Sequence, residues 1–275
     1  MSLPAGVELV NPNVRRGPFR AAVFDFDGTL SLIREGWPEI MVSRMLALLR
    51  AQHLVRETEA ECAAHLHAFV MALNGHPTIK QMERFAEEVR ARGGAPAPPD
   101  EYLRDYLDAL ALTVRARWAA LEAGTARVEE WVVPHAHAAL ARLHELGLKP
   151  VVASGTDLAH VAHEVELLKL APFVSGRVFA PKDNDAHFRK RDVIARTLET
   201  SGVPGTELLG FGDGVVETQE VKRAGGVAVG VASVPAGSRG VHAGKRATLI
   251  AAGADLIVPD YERAPALLAW LWGEP

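Results

Sequence analysis

Residues Ala21-Ala22-Val23-Phe24-Asp25-Phe26-Asp27-Gly28-Thr29-Leu30 form an apolar run that ends in two aspartates, followed at once by Gly-Thr. In a strand, residues i and i+2 point to the same face, so Asp25 and Asp27 leave the strand on one side. Two clustered carboxylates repel unless a cation or a shared proton offsets their charge. Mg²⁺ is the natural cation, because it binds a few carboxylates, waters and phosphate oxygens. The segment alone also admits a plainer reading, a strand running into an Asp-Gly turn.

Working outward, the 275 residues allow one large domain or two modest ones, and with 48% hydrophobic residues the chain can bury a sizeable core. The formal charge of −4, with basic residues spread along the chain, gives no footprint for a nucleic-acid partner. A single cysteine, Cys62, excludes an internal disulfide framework and suits a reducing compartment. The first residues are interrupted by Pro4, Pro12 and Pro18 and lack a secretory apolar core. No apolar run is long enough to span a bilayer, so the expected location is cytoplasmic with no membrane partner.

From about 37 to 123 the pattern is helical throughout. The apolar sets are Ile40, Met41, Met45 and Leu49; Cys62, Leu66, Phe69 and Val70; Met82, Phe85 and Val89; then Tyr102 to Leu121. The Gly93-Gly94-Ala95-Pro96-Ala97-Pro98-Pro99 stretch separates the third helix from the fourth. After about 133 strands and helices alternate, with strands expected near 149–154, 177–180, 207–212, 227–231 and 255–258. Pro134 suits the first turn of the helix that ends near Gly147. Such alternation indicates an α/β fold, a doubly wound parallel sheet, interrupted after its first strand by an all-helical domain.

Ligands of open parallel sheets bind beyond the carboxyl ends of the strands. The first strand exits at Asp25 and Asp27. The second exits at Ser154-Gly155-Thr156. The third is followed by Lys182 and, after a polar loop, by Lys190. The fourth exits at Gly212-Asp213-Gly214, with Glu217 one turn onward. Any one cluster could cap a helix, but acids, a hydroxyl beside glycine and a lysine at successive exits are the parts that hold Mg²⁺ and a phosphate together.

These residues resemble the haloacid dehalogenase-like (HAD) hydrolase superfamily. Asp25-Phe26-Asp27-Gly28-Thr29 is similar to its first motif, Ser154 to the second, a lysine to the third, and Gly212-Asp213 with Glu217 to the fourth. The resemblance implies a Rossmann-like core over 18–32 and 133–275 and a helical cap domain over 33–132. It further implies a Mg²⁺-dependent phosphatase acting through an aspartyl-phosphate. In that scheme Asp25 is the nucleophile and Asp27 the general acid/base, while Ser154, Lys190 and nearby backbone amides at Gly155 and Thr156 hold the phosphoryl group. The metal ligands would be Asp25, the Asp27 carbonyl, Asp213 and Glu217. Two departures stand out: Glu217 occupies a position where Asp is commoner, and Lys182 competes with Lys190 for the third motif. Lys190 is favoured because it opens a helix, where anions bind.

The expected partner is a small phosphorylated substrate, such as a sugar phosphate. Phosphomutase and nucleotidase activities fit the same core, and a non-catalytic binding protein is the alternative of another class. The resemblance argues against a dehalogenase, which lacks the second aspartate, and against a phosphonatase, which needs a cap lysine where the insert has only Lys80. Selectivity would come from Arg34, pairing with a second anionic group, from Trp37, stacking on a sugar or base, and from Asn74-Gly75-His76-Pro77-Thr78 with Gln81. The histidine pairs His65/His67 and His135/His137 lack the i, i+4 spacing of a helical zinc site.

Overall fold

A computed structural model describes residues 2–73, 78–182 and 187–273. Among these, the chain forms seven strands: β1 (Glu8–Leu9), β2 (Ala21–Phe24), β3 (Val151–Ala153), β4 (Val178–Phe179), β5 (Leu208–Gly212), β6 (Val227–Val231) and β7 (Leu256–Val258). They make one sheet in the order β1-β7-β6-β5-β2-β3-β4. All neighbours are parallel except β1 and β7. Without β1 this is the doubly wound order in which the chain starts in the middle, builds one edge, then returns to build the other. The sheet is therefore mixed at one edge and not wholly parallel.

Alternation along β2 explains how the sheet is covered on both sides. Ala21 and Val23 join Val151, Ala153 and Leu208 in a core with Val193 and Ile194 of α8 (Lys190–Ser201) and Val221 of α9 (Val215–Arg223). Phe24 turns the other way and stacks on Phe211 with ring centroids 4.4 Å apart, and both rings face Tyr261. Phe24 and Phe26 are fully buried. At ~2–3 kcal/mol of transfer free energy per side chain, this burial fixes the segment as a central strand and not a surface turn. Pro134 lies just ahead of its helix, which runs Ala136–Glu145 with His135 as N-cap.

The chain divides into two compact units, Met1–Glu35 with Ala120–Pro275, and Gly36–Ala119. Residues 1–17, 33–35 and 120–132 thus group with the sheet. The second unit holds α1 (Trp37–Ala51), α2 (Glu59–Ala72), α3 (Thr78–Ala91) and most of α4 (Pro99–Glu122). Its core is built from Met41, Met45, Leu49, Leu66, Phe85 and Tyr102, with Cys62 buried among them. Thr58 and Glu61 cap α2 reciprocally. No described helix is long and apolar enough to cross a membrane.

Candidate active site

The site lies where the strand order reverses, beside β2 between β3 and β5. Asp25 continues the ladder one residue past β2 through its N–H to the Phe211 carbonyl, 2.9 Å. The chain then turns sharply, with Leu30 N–H bonded to Phe26 O and Gly28 N–H to Ser31 O, both 2.8 Å. Gly28 is left-handed, φ 73°, and a Cβ on it would stand 2.0 Å from Asp213 Oδ2. Only glycine allows this approach. Gly28→Ala is expected to destabilise the fold by about 1–3 kcal/mol through its backbone conformation alone. It should also displace the Asp213 carboxylate and weaken any divalent-cation site built on it about tenfold or more (a loss of ~1.4 kcal/mol or more), read by calorimetric titration with Mg²⁺. Unchanged Mg²⁺ affinity would contradict that contact.

Among the described residues, Asp25, Asp213 and Glu217 bring one carboxylate oxygen each to within 4.8 Å of one another. Lys190, at the start of α8, lies between two of them, its Nζ 2.7 Å from Asp25 Oδ1 and 3.0 Å from Glu217 Oε2. The other Glu217 oxygen accepts from Gly214 N–H at the start of α9, 2.5 Å. Gly212 lets this side chain in, since a Cβ there would lie 2.1 Å from Glu217 Cγ. Asp213 has its own cation, Lys245 Nζ at 3.0 Å. Lys245 also donates to Ser233 Oγ, 3.0 Å, and Ser233 donates to the Gly28 carbonyl, 2.6 Å. That chain ties the first and fourth strand exits together.

Burial pushes the Asp25 carboxyl well above the usual carboxylate range; Lys190 opposes this, while Glu217 and Asp213 reinforce it. Asp213 is pushed up to about 6, chiefly by burial, against the pull of Lys245 and with the push of Glu217. For Glu217 burial acts upward too, but Lys190 and its hydrogen bonds outweigh it and the group is lowered. Burial would also depress Lys190, yet Asp25 and Glu217 reverse the sign and hold it protonated.

Four acids (Asp25, Asp213, Glu217 and, 3.9 Å from Lys245, Glu35) thus face two lysines. The donors are hard oxygens and the remaining negative charge matches a divalent cation, so the residues fit Mg²⁺. A carboxyl with a raised folded-state pKa binds its proton more tightly when folded than when unfolded. Asp213 therefore contributes stability to the metal-free fold that is lost as pH rises from 3.8 through about 6. A cation that offsets the same charge should reverse this. Mg²⁺ is expected to raise the melting temperature more at about pH 7.5 than at about pH 5. Equal shifts at the two pH values would contradict the site.

Asp27 lies outside the acidic group, so the repulsion expected between Asp25 and Asp27 is met differently. Asp27 Oδ1 accepts from Arg34 Nη1, 3.1 Å, and Oδ2 accepts from Thr156 Oγ1, 2.7 Å. Thr156 N–H in turn bonds Ser154 Oγ, 3.0 Å, and Ser154 is fully buried. Gly155 is exposed at the same strand exit. Arg34 pairs with Asp27 and with Glu164 Oε1, 2.5 Å, and its side chain is 14% exposed, an internal partner where a substrate anion was expected.

Lys182 is exposed, whereas Lys190 is the lysine brought to Asp25. Trp37 packs on the helical unit's own core. Gln81 is buried and donates to the Val70 carbonyl, 2.9 Å. Residues 74–77, the rest of that expected loop, lie outside the described residues. Lys80 pairs with Glu83 on its own helix.

Lys245, Ser233 and Glu164 are site neighbours that the sequence reading does not single out. The strand-exit rule, carried one strand further to β6, reaches Ala232-Ser233 directly. Nothing local marks Glu164, which sits between the apolar Val161 and Val165 of α6 (Leu158–Leu167).

A family model for haloacid dehalogenase-like hydrolases matches residues 19–225. Among solved structures, a conserved haloacid dehalogenase-like protein from Agrobacterium tumefaciens is similar, with 16% identity, TM-score 0.62, and coverage of 92% of this chain and 99% of that one. So is a HAD family hydrolase from Deinococcus radiodurans with bound phosphate and sodium, with 17% identity, TM-score 0.57, and coverage of 92% and 96%. A predicted phosphoglycolate phosphatase from Haemophilus somnus has 14% identity and TM-score 0.59 over 89% and 96% of the two chains. No curated protein matches. At these identities the structures speak for the fold, and the family model spans most of the chain. The strand-exit acids, the sheet order and the family match agree: the chain belongs to the haloacid dehalogenase-like hydrolases.

Proposed function

We propose that this protein is a Mg²⁺-dependent phosphatase that hydrolyses a small phosphorylated metabolite through an aspartyl-phosphate on Asp25. The observation that carries the reading is Asp25 itself, a buried carboxylate held 2.7 Å from Lys190 within the acidic group. That the Deinococcus radiodurans neighbour binds phosphate and a cation is in keeping with it.

In this reading the Asp25 carboxylate attacks phosphorus, forming an Asp25–phosphorus bond as the bond to the leaving oxygen breaks. Asp27 donates a proton to that oxygen, then takes one from the water that cleaves the acyl phosphate and restores Asp25. Lys190 and Ser154, with the amides of Gly155 and Thr156, stabilise the charge on the transferring group. Asp25, Asp213 and the Asp27 carbonyl would hold Mg²⁺, which when bound offsets phosphoryl charge. Glu217, whose oxygens hold Gly214 N–H and Lys190, would help directly or through water while orienting Lys190.

The test is phosphate release from a panel of monophosphate esters with Mg²⁺ and with chelator. Mg²⁺-dependent release that needs no bisphosphate activator is expected. A strict requirement for such an activator would mark a phosphomutase, and inactivity on every ester would overturn the reading in favour of a binding protein.

A further inference from the structure

Glu164 is a fully buried acid with no part in the mechanism above. It lies on α6, which opens with Asp157 as N-cap directly after Ser154-Gly155-Thr156. Its Oε1 is 2.5 Å from Arg34 Nη1, and its Oε2 accepts from Ser31 Oγ at 3.3 Å. Both partners belong to the segment just beyond Asp27. Ser31 Oγ also accepts from Ile33 N–H, 3.1 Å, which ties this segment to Glu164 through one hydroxyl.

We propose that Glu164 is a positioning residue that acts through Arg34 to hold the Asp27 carboxyl group in register for proton transfer, and this rests on the phosphatase reading. A buried ion pair is poor evidence for stability, because well-packed apolar residues usually do as well or better. The geometry points to another use. Asp27 is gripped on one oxygen by Thr156, the residue just before the N-cap of α6. It is gripped on the other by Arg34, whose guanidinium is anchored by Glu164 two turns along the same helix. α6 and the turn that leads into its N-cap thus set both bonds that orient Asp27. Without Glu164, Arg34 keeps one anchor on a side chain with several free torsions, and Asp27 loses its fixed direction. Proton transfer needs a heavy-atom approach of about 2.6–3.2 Å.

The substitution that tests this is Glu164→Gln, which keeps the shape and removes the charge. With p-nitrophenyl phosphate the leaving group departs without a proton, whereas with β-glycerophosphate it needs one. Glu164→Gln should lower kcat/KM on β-glycerophosphate about 10²-fold. On p-nitrophenyl phosphate kcat/KM, which reports only formation of the phosphoenzyme and not its hydrolysis by the Asp27-activated water, should fall less than about tenfold. Glu164→Asp, which retains the charge, should recover part of the loss. Equal losses on both esters, or none, would overturn the proposal, since a merely structural role cannot tell leaving groups apart. If Glu164→Gln does not fold, Arg34→Gln cuts the same link and should show the same selectivity. If the wild type does not turn over both esters, crystal structures of wild type and variant decide. Arg34 withdrawn from Asp27 in the variant supports the proposal, and Arg34 still bonded to Asp27 overturns it.

Discussion

Asp25→Asn is expected to reduce phosphate release by about 10⁴-fold or more, to the level that binding and charge stabilisation alone sustain. Asparagine has the shape of aspartate but is a far weaker nucleophile, so no covalent intermediate forms. The change should not unfold the protein. Burial, Glu217 and Asp213 already push the Asp25 carboxyl upward, so its ionised form weighs against the fold at neutral pH. Replacing it with a neutral group should leave the metal-free melting temperature level or higher, while Lys190 keeps Glu217 as partner. Loss of activity with retained stability is the combination to look for. A variant with wild-type kcat would remove Asp25 from the nucleophile's role.

Lys190→Met should damage both activity and stability. Lys190 is the cation between Asp25 and Glu217, and its side chain is 14% exposed. Removing one partner from a buried ion pair strands the other and costs about 3–5 kcal/mol. Here two carboxylates are stranded. Glu217 would lose the interaction that holds it in the ionised range, and both acids would take up protons more readily. The loss of stability should therefore be larger at about pH 7.5 than at about pH 5, measured by denaturant or thermal unfolding. Turnover should fall about 10²–10³-fold, the usual effect of removing one preorganised donor to a charged transition state. A variant as stable and as active as wild type would show that Lys190 merely fills space.

The four polar strand exits could be read from sequence because each follows a short apolar run, and parallel sheets gather such exits at one edge. The buried strand at Ala21–Phe24, the helical insert and the family resemblance all follow from that local pattern. Lys190 could be preferred over Lys182 only by its place at a helix start; its contact with Asp25 is a tertiary fact. Arg34 illustrates the limit better. Its position after the first motif suggested a substrate anion, but its partner Glu164 lies far along the chain, on a helix whose pattern gives no sign of a buried acid. Pairings of this kind depend on which helix face meets which loop. The strand β1 escaped for a different reason. Two residues, Glu8–Leu9, in a Pro- and Gly-punctuated segment carry no periodicity. The edge is held instead by Asn11 and the main chain on Asp255 and by the Arg246–Glu8 ion pair.

The central claim is that Asp25 carries the phosphoryl group between substrate and water. Rapid acid quench of the wild-type protein during turnover of p-nitrophenyl phosphate with Mg²⁺, followed by peptide mass spectrometry, tests it directly. A phosphoryl mass increment on the peptide that contains Asp25, absent in Asp25→Asn, is the expected result. Steady turnover with no phosphorylated peptide, or with the phosphoryl group on another residue, would contradict the mechanism.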